Sequence, residues 1–225
     1  MANTIIVMLT GPMGSGKSTA AKILEKYGFV EESFAKPIKE FALNIGFTRS
    51  QVYGTQAEKS EINQRWGISG RTFMQRFGTE LCREKFAEVF PEVEMNGRTL
   101  WARTIEHKIA DHDRVVISDG RFLDEAIMVK DYHGIIIKLN RPSLIEAGSD
   151  HLSETSLNDI VPDYNINNNG TLEELENQLV EILQGEGCIM EPLKTTEPVE
   201  KSWMNNNLAI IVGVISIVLG RYLFY

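Results

Sequence analysis

Nine residues near the N-terminus carry the densest chemical signal in the chain: Gly11-Pro12-Met13-Gly14-Ser15-Gly16-Lys17-Ser18-Thr19. Their spacing is G-x-x-x-x-G-K-[ST] with no deviation. Glycines let the main chain wrap closely, so that successive N–H groups point inward at phosphate oxygens. Lys17 supplies a point charge for the β/γ-phosphates, the Ser18 hydroxyl is a ligand type for Mg²⁺, and Thr19 is placed to bond the α-phosphate. The pattern predicts a nucleoside-triphosphate site. By itself it does not separate a kinase from a GTPase, a motor or an ATPase.

A second carboxylate is needed at a neighbouring strand end to organise Mg²⁺ or an acceptor. Asp119 follows the apolar run Val115-Val116-Ile117-Ser118 directly, where α/β sheets bind ligands. The alternative is that it merely caps a helix starting near Phe122. Arg121 leaves the same strand end. A helix is predicted from about Arg71 to Val89, with Phe73, Phe77 and Leu81 on an apolar face and Gln75, Thr79 and Arg83 in a polar row. An amide, a hydroxyl and a guanidinium in one row could read a nucleotide's phosphate and base edge, although a solvated face gives the same pattern. Arg141 opens a polar stretch to about Asn158 that contains Gly148, His151 and Glu154. This stretch reads as a lid carrying Arg141 over a transferring phosphate, while His151 alone reads as a surface histidine. No Ser/His/Asp arrangement is present. An acceptor that is itself a phosphate needs none, because its oxygen is already anionic and catalysis reduces to alignment and charge neutralisation.

These residues need a frame of alternating strands and helices. Thr4–Leu9, Val115–Ser118 and Gly134–Leu139 are continuous apolar runs, as expected of strands buried on both faces, and Phe29–Phe34 is a weaker strand. Lys17–Tyr27 and Pro37–Ile45 read as helices. Thr171–Leu183 is a third, with Thr171 and Glu174 forming a capping box. The run Asn165–Gly170 looks like a turn. The fold expected is a three-layer α/β/α arrangement around a parallel sheet, occupying residues 1–183. Residues 184–207, with Gly185, Gly187, Pro192 and Pro198, read as a flexible linker. Residues 208–225 are almost wholly apolar. Eighteen helical residues span about 27 Å, close to the roughly 30 Å of a bilayer's hydrocarbon. Trp203, Arg221, Tyr222 and Tyr225 suit the two interfaces, so a transmembrane tail anchor is expected, the alternatives being a buried or an oligomerisation helix.

Composition narrows the partners. With 31 Asp+Glu against 23 Lys+Arg the net charge is -8, which argues against a nucleic-acid coat but not against a locally basic pocket. Two separated cysteines, Cys82 and Cys188, exclude a disulfide framework or a zinc ribbon and fit a reducing compartment. The start Met1-Ala2-Asn3-Thr4 lacks the basic region of a secretory signal.

Residues 4 to about 183 resemble the deoxynucleoside monophosphate kinases of large DNA viruses and phages, within the P-loop nucleoside/nucleotide kinases. The likeness rests on GPMGSGKST at 11–19, SFAKPIKE at 33–40, RTFMQRFGTELCRE at 71–84, Trp101, SDGRFLDEA at 118–126, HLSE at 151–154 and NNNGTLEEL at 167–175. It implies transfer of the γ-phosphoryl of ATP, with Mg²⁺, to a deoxynucleoside 5′-monophosphate. Carried onto this chain, residues 11–19 look like the ATP and metal contacts, with Asn168 and Gly170 near the adenine and Asp119 a second metal contact. Lys36, Arg71, Gln75, Thr79, Arg83, Trp101, Glu125, His151 and Glu154 look like acceptor contacts. Asp119 and Arg121 look like a strand-end catalytic pair, and Arg141 like the lid arginine. Gly120 stands where an apolar residue is expected, and its freedom could loosen Arg121. The implied partners are small nucleotides, no nucleic acid, and a possible second copy in a homodimer. The resemblance does not extend to the tail, whose anchoring would leave the domain on the host-cell cytoplasmic side. Two alternatives stay open: a dephospho-coenzyme A kinase, disfavoured because Phe34-Ala35-Lys36 stands where its base would, and a catalytically weak nucleotide-binding module held at a membrane.

Overall fold

The computed structural model describes residues 4–141 and 156–189. The chain divides into two compact units, Met1–Glu191 and Pro192–Tyr225, and all the described residues belong to the first. The expected tail helix at 208–225, most of the expected linker, and the lid residues His151 and Glu154 lie outside the described residues. Among the described residues no helix is long and apolar enough to cross a membrane.

The chain starts with β1 (Ile5–Thr10), α1 (Lys17–Glu25), β2 (Val30–Glu32) and α2 (Lys36–Asn44). Two short helices, α3 (Arg49–Tyr53) and α4 (Gln56–Ser60), and a small hairpin, β3 (Ile62–Asn63) with β4 (Ile68–Ser69), come next. Then follow α5 (Gly70–Gln75), a π-helical segment Arg76–Leu81, α6 (Phe86–Val89) and α7 (Leu100–Ile109). The second half holds β5 (Arg114–Gly120), α8 (Leu123–Asp131), β6 (Ile135–Asn140), a 3₁₀ turn Ser156–Asp159, β7 (Tyr164–Asn167) and α9 (Leu172–Gly185).

Five strands form one parallel sheet in the order β2-β5-β1-β6-β7. Alternate residues of β1 feed two separate cores. Val7 and Leu9 pack with α1 and α9 residues such as Leu24, Leu175 and Leu179. Ile6 and Met8 pack with Ile105 of α7 and Met128 of α8. Helices therefore cover both faces, which is why the central strands read as unbroken apolar runs. All five strands end on one side, where β1, β2 and β5 deliver the phosphate loop, Ser33 and Asp119.

Three features depart from the sequence reading. The run beginning at Asn165 is not simply a turn: Tyr164–Asn167 is an edge strand paired with β6, with Ile166 as its buried residue. The alternation Tyr164-Asn165-Ile166-Asn167 covers only four residues and runs into further asparagines and Gly170, so the turn-forming residues dominate the pattern. The long helix expected over 71–89 is broken. After α5 the chain bonds i→i−5, with the Cys82 amide donating to the Phe77 carbonyl at 3.0 Å and the Glu84 amide to Thr79 at 3.1 Å. The extra residue in this turn shifts the helical phase, so Leu81 points to solvent while Phe73 and Phe77 stack at 5.3 Å. Finally, α9 continues to Gly185, and Cys188 and Ile189 are buried in the first core, so packing runs past residue 183, where the linker was expected to begin.

Candidate active site

The phosphate loop spans the gap between β1 and α1. Its conformation depends on Gly16, which has φ 104 and whose added Cβ would lie 2.2 Å from the Asn168 side-chain nitrogen. That nitrogen donates to the Ser15 carbonyl at 2.9 Å. Asn168, expected near the adenine, thus holds the loop from the end of β7. Gly170, expected beside it, makes room for the Glu174 carboxylate, which accepts from the Thr171 amide at 2.7 Å in the predicted capping box. Lys17 is mostly buried and folds back on the loop, donating to the Gly11 and Pro12 carbonyls at 2.6 and 2.8 Å. The Ser15 hydroxyl is fully buried and finds no hydrogen-bond partner among the described residues. Ser18 is exposed at the first turn of α1.

Asp119 does not cap the helix beyond it. Its carboxylate reaches across to the end of β2 and accepts from the Ser33 hydroxyl (2.7 Å), the Phe34 amide (2.9 Å) and the Ala35 amide (3.0 Å). Three donors satisfy most of its lone pairs and pin the entry to α2, which carries Lys36 and Lys39.

Two cavities meet at this point. One, about 710 Å³, lies over the phosphate loop and is lined by Gly14, Gly16, Lys17, Ser18, Thr19, Lys36 and Arg141, among others. Lys36, expected on the acceptor, belongs to this side, and Arg141 stands exposed at its rim. The other, about 300 Å³, is lined by Arg71, Gln75, Thr79, Arg83, Trp101 and Glu125, with Ile38, Met74 and Phe122 as apolar walls. Gln75, Thr79 and Arg83 do share one wall, as the spacing predicts, despite the π turn between them. Met13, Lys39, Gln56, Lys59, Asp119 and Arg121 line both cavities and form the seam.

Several acceptor-side groups are committed to one another. Arg83 pairs with Asp124 and, at 2.6 Å, with Glu125, and its guanidinium lies 3.8 Å from the centre of the Phe122 ring. Glu125 is buried and also accepts from the Arg121 amide at 2.8 Å and the Phe122 amide at 3.1 Å. Burial pushes its carboxyl up to about 7, against the opposing pull of the Arg83 charge. Glu125 thus caps α8 and orients Arg83. The Trp101 indole N–H donates to the Gly78 carbonyl at 2.8 Å, so this residue braces the π segment while its ring borders the cavity.

Lys39, Gln56 and Lys59 went unread in the sequence. Gln56 and Lys59 sit on α4, too short to show an apolar period. The signal that was available is a pair of capping boxes, Thr48…Gln51 and Thr55…Glu58, which mark both short helices. Lys59 is half-buried, and its ammonium pKa is lowered by burial and by the charges of Lys39, Arg71 and Arg121.

A family model of deoxynucleotide monophosphate kinases matches residues 44–179. A protein of Acanthamoeba polyphaga mimivirus named as a deoxynucleotide monophosphate kinase is 37% identical over 184 residues, covering 78% of this chain and 94% of the relative. Among solved structures, shikimate kinase from Aquifex aeolicus aligns with a TM-score of 0.46 at 12% identity, over 81% of this chain and 98% of that one. Shikimate kinase from Acinetobacter baumannii aligns at 0.43 and 15%, over 82% and 96%. Similarity at that level carries no functional inference. The family match spans the acceptor wall and the strand end bearing Asp119, and the mimivirus relative extends over most of the chain: the protein belongs to the deoxynucleotide monophosphate kinase family.

Proposed function

We propose that the larger cavity takes ATP through the phosphate loop and that the smaller takes a deoxynucleoside 5′-monophosphate. Their phosphates meet at the seam of Lys39, Lys59, Asp119 and Arg121. The observation carrying this reading is that the two cavities share those residues in their walls. In the transfer an oxygen of the acceptor phosphate forms a bond to Pγ. The bond from Pγ to the β,γ-bridging oxygen breaks, and its electron pair stays on ADP. No proton need be removed, because the acceptor oxygen is anionic at neutral pH.

Loop amides and Lys17 hold the donor, Lys17 exchanging the Gly11 and Pro12 carbonyls for phosphate oxygens. Asp119 acts by positioning: it fixes residues 33–35 and so places Lys36 and Lys39. Arg83, held by Glu125 and Asp124, stiffens the acceptor wall, where Gln75 and Thr79 offer an amide and a hydroxyl to the base or sugar. Among the described residues no group of three or more His, Cys, Asp and Glu could cage a metal. That fits Mg²⁺ held by Ser18, phosphate oxygens and water, with the one remaining Asp119 lone pair behind it. When bound, the ion would supply positive charge that neutralises the phosphates. The reading of 208–225 as a membrane anchor, with the kinase unit on the cytoplasmic side, rests on sequence alone.

The test is incubation of the purified full chain with Mg-ATP and each deoxynucleoside monophosphate in turn. Diphosphate forms with at least one of them. If none yields diphosphate, the assignment fails.

A further inference from the structure

A closed circuit of hydrogen bonds runs behind the acceptor cavity. Asp124, in the first turn of α8, takes Arg83 on Oδ1 and the Thr99 hydroxyl on Oδ2, the latter at 2.7 Å. Thr99 is the N-cap of α7, its hydroxyl oxygen accepting from the Ala102 amide. Two residues further on, the Trp101 indole N–H returns to the Gly78 carbonyl, inside the π segment that leads to Arg83. The circuit thus closes through three elements, and each supplies cavity wall: Gly78 and Arg83 from the π segment and its end, Trp101 from α7, Phe122 and Glu125 from the start of α8. These five line the smaller cavity and not the larger. They bound the part away from the seam, where the sugar and base of an acceptor lie once its phosphate is at the seam.

Thr99 and Asp124 belong to the lining of neither cavity. Their bonds are nonetheless built to hold geometry. The Arg83 side chain is only 12% exposed and that of Asp124 26%, so solvent screens their charge-assisted bond incompletely. The Thr99 hydroxyl spends its donor on Asp124 while its oxygen caps α7, so the helix start and the carboxylate cannot shift independently. Resting on the reaction assigned above, we propose that Thr99 and Asp124 are positioning residues: they fix Arg83 and Trp101 relative to one another and so shape the base-and-sugar end of the acceptor site. They touch neither nucleotide and take no part in the exchange of bonds at Pγ. Breaking the link between them loosens acceptor binding and leaves the donor side as it was.

The test uses steady-state kinetics of the full chain. Thr99→Asp keeps an oxygen that caps the helix but has no proton to donate, and it sets two carboxylates against each other. KM for the accepted monophosphate is expected to rise about tenfold, the scale of one lost hydrogen bond to a charged group. KM for ATP stays within about twofold. Thr99→Ser, which keeps the hydroxyl, behaves as the wild type. Combining Thr99→Asp with Asp124→Asn turns the bond round: an amide N–H now donates to the new carboxylate, while the amide oxygen still faces Arg83. The monophosphate KM then recovers by roughly threefold or more relative to Thr99→Asp alone. If Thr99→Asp does not fold, Thr99→Ala removes the hydroxyl without adding charge and is held to the same split. The proposal is overturned if the monophosphate KM does not move, if both KM values rise alike, or if the double variant is no better than Thr99→Asp. A wild-type chain that makes no diphosphate sinks the reaction itself. Turnover in the wild type with an indifferent Thr99→Asp sinks only the role of this pair.

Discussion

Glycine at position 120 shows how a residue can be misjudged from sequence. Beside Arg121 it suggests looseness, because nothing in the local pattern restrains it. In the fold an added Cβ would lie 2.6 Å from the Met8 sulfur, and Met8 is fully buried on the neighbouring strand. The volume expected at 120 is thus supplied across the sheet by a long, adaptable side chain, and the strand end is packed rather than loose. Glu125 is the second case. Spacing marks it as part of a motif, but only burial reveals its titration. Its folded value, about 7, lies above the ordinary 4.5, so the folded state binds the proton more tightly. The stability this contributes is fully present below pH 4.5 and is lost as pH rises through about 7. Glu125→Gln cannot titrate. The melting temperature of the wild type relative to Glu125→Gln should therefore be higher at pH 5 than at pH 8. Activity should run the other way, because ionised Glu125 is what grips Arg83: wild-type kcat/KM rises through pH 7, and the variant lacks that rise. Parallel melts and rate profiles of the two proteins check both statements, and an equal melting gap at both pH values would refute the assignment.

Among elements, those with a strong period were legible and those made by local chemistry were not. β1, β5 and β6 announce themselves as apolar runs because helices cover both faces, and α9 by its capping box. The segments α3 and α4, five residues each, have no period to find, so Lys59 stayed hidden despite its place at the seam. The π turn is invisible for a different reason. It depends on a tertiary partner: Trp101, 23 residues away, whose N–H takes up the Gly78 carbonyl. Trp101→Phe keeps an aromatic ring but removes that donor. A buried carbonyl left without a partner costs about 1–3 kcal/mol, so a lower melting temperature is expected. Because the π segment borders the acceptor cavity and not the phosphate loop, KM for the monophosphate should rise while KM for ATP holds. Steady-state kinetics with each substrate varied separately would show this, and an equal rise in both would mean the damage is global.

At the scale of the whole molecule, average properties conceal the working ones. A net charge of -8 gives no hint that Lys39, Lys59 and Arg121 line the place where two cavities join, with Arg71 in the wall of the smaller one. Bulk charge governs solubility and long-range encounter, while the seam is set by which helices converge on the sheet's carboxyl ends. The division of labour along the chain follows the same logic. The mimivirus relative is matched over 94% of its length by 78% of this chain, so about a fifth of this chain has no counterpart in it. Among the described residues the active-site groups, apart from Asn168, precede residue 142 and lie within the compact unit ending at Glu191. Residues 208–220, an uncharged apolar run, offer phosphate chemistry no cation and no carboxylate, and the eighteen residues 208–225 would span about 27 Å as a helix, close to the roughly 30 Å of a bilayer's hydrocarbon. A chain ending at Glu191 should therefore keep kcat and both KM values within about twofold of the full chain, a change well under 1 kcal/mol. When both are expressed in cells and membranes are pelleted, the full chain should sediment with them and the truncated one should stay in the supernatant. Full-length protein remaining in the supernatant would remove the anchor, and a truncation that lost activity would mean that the second unit takes part in catalysis.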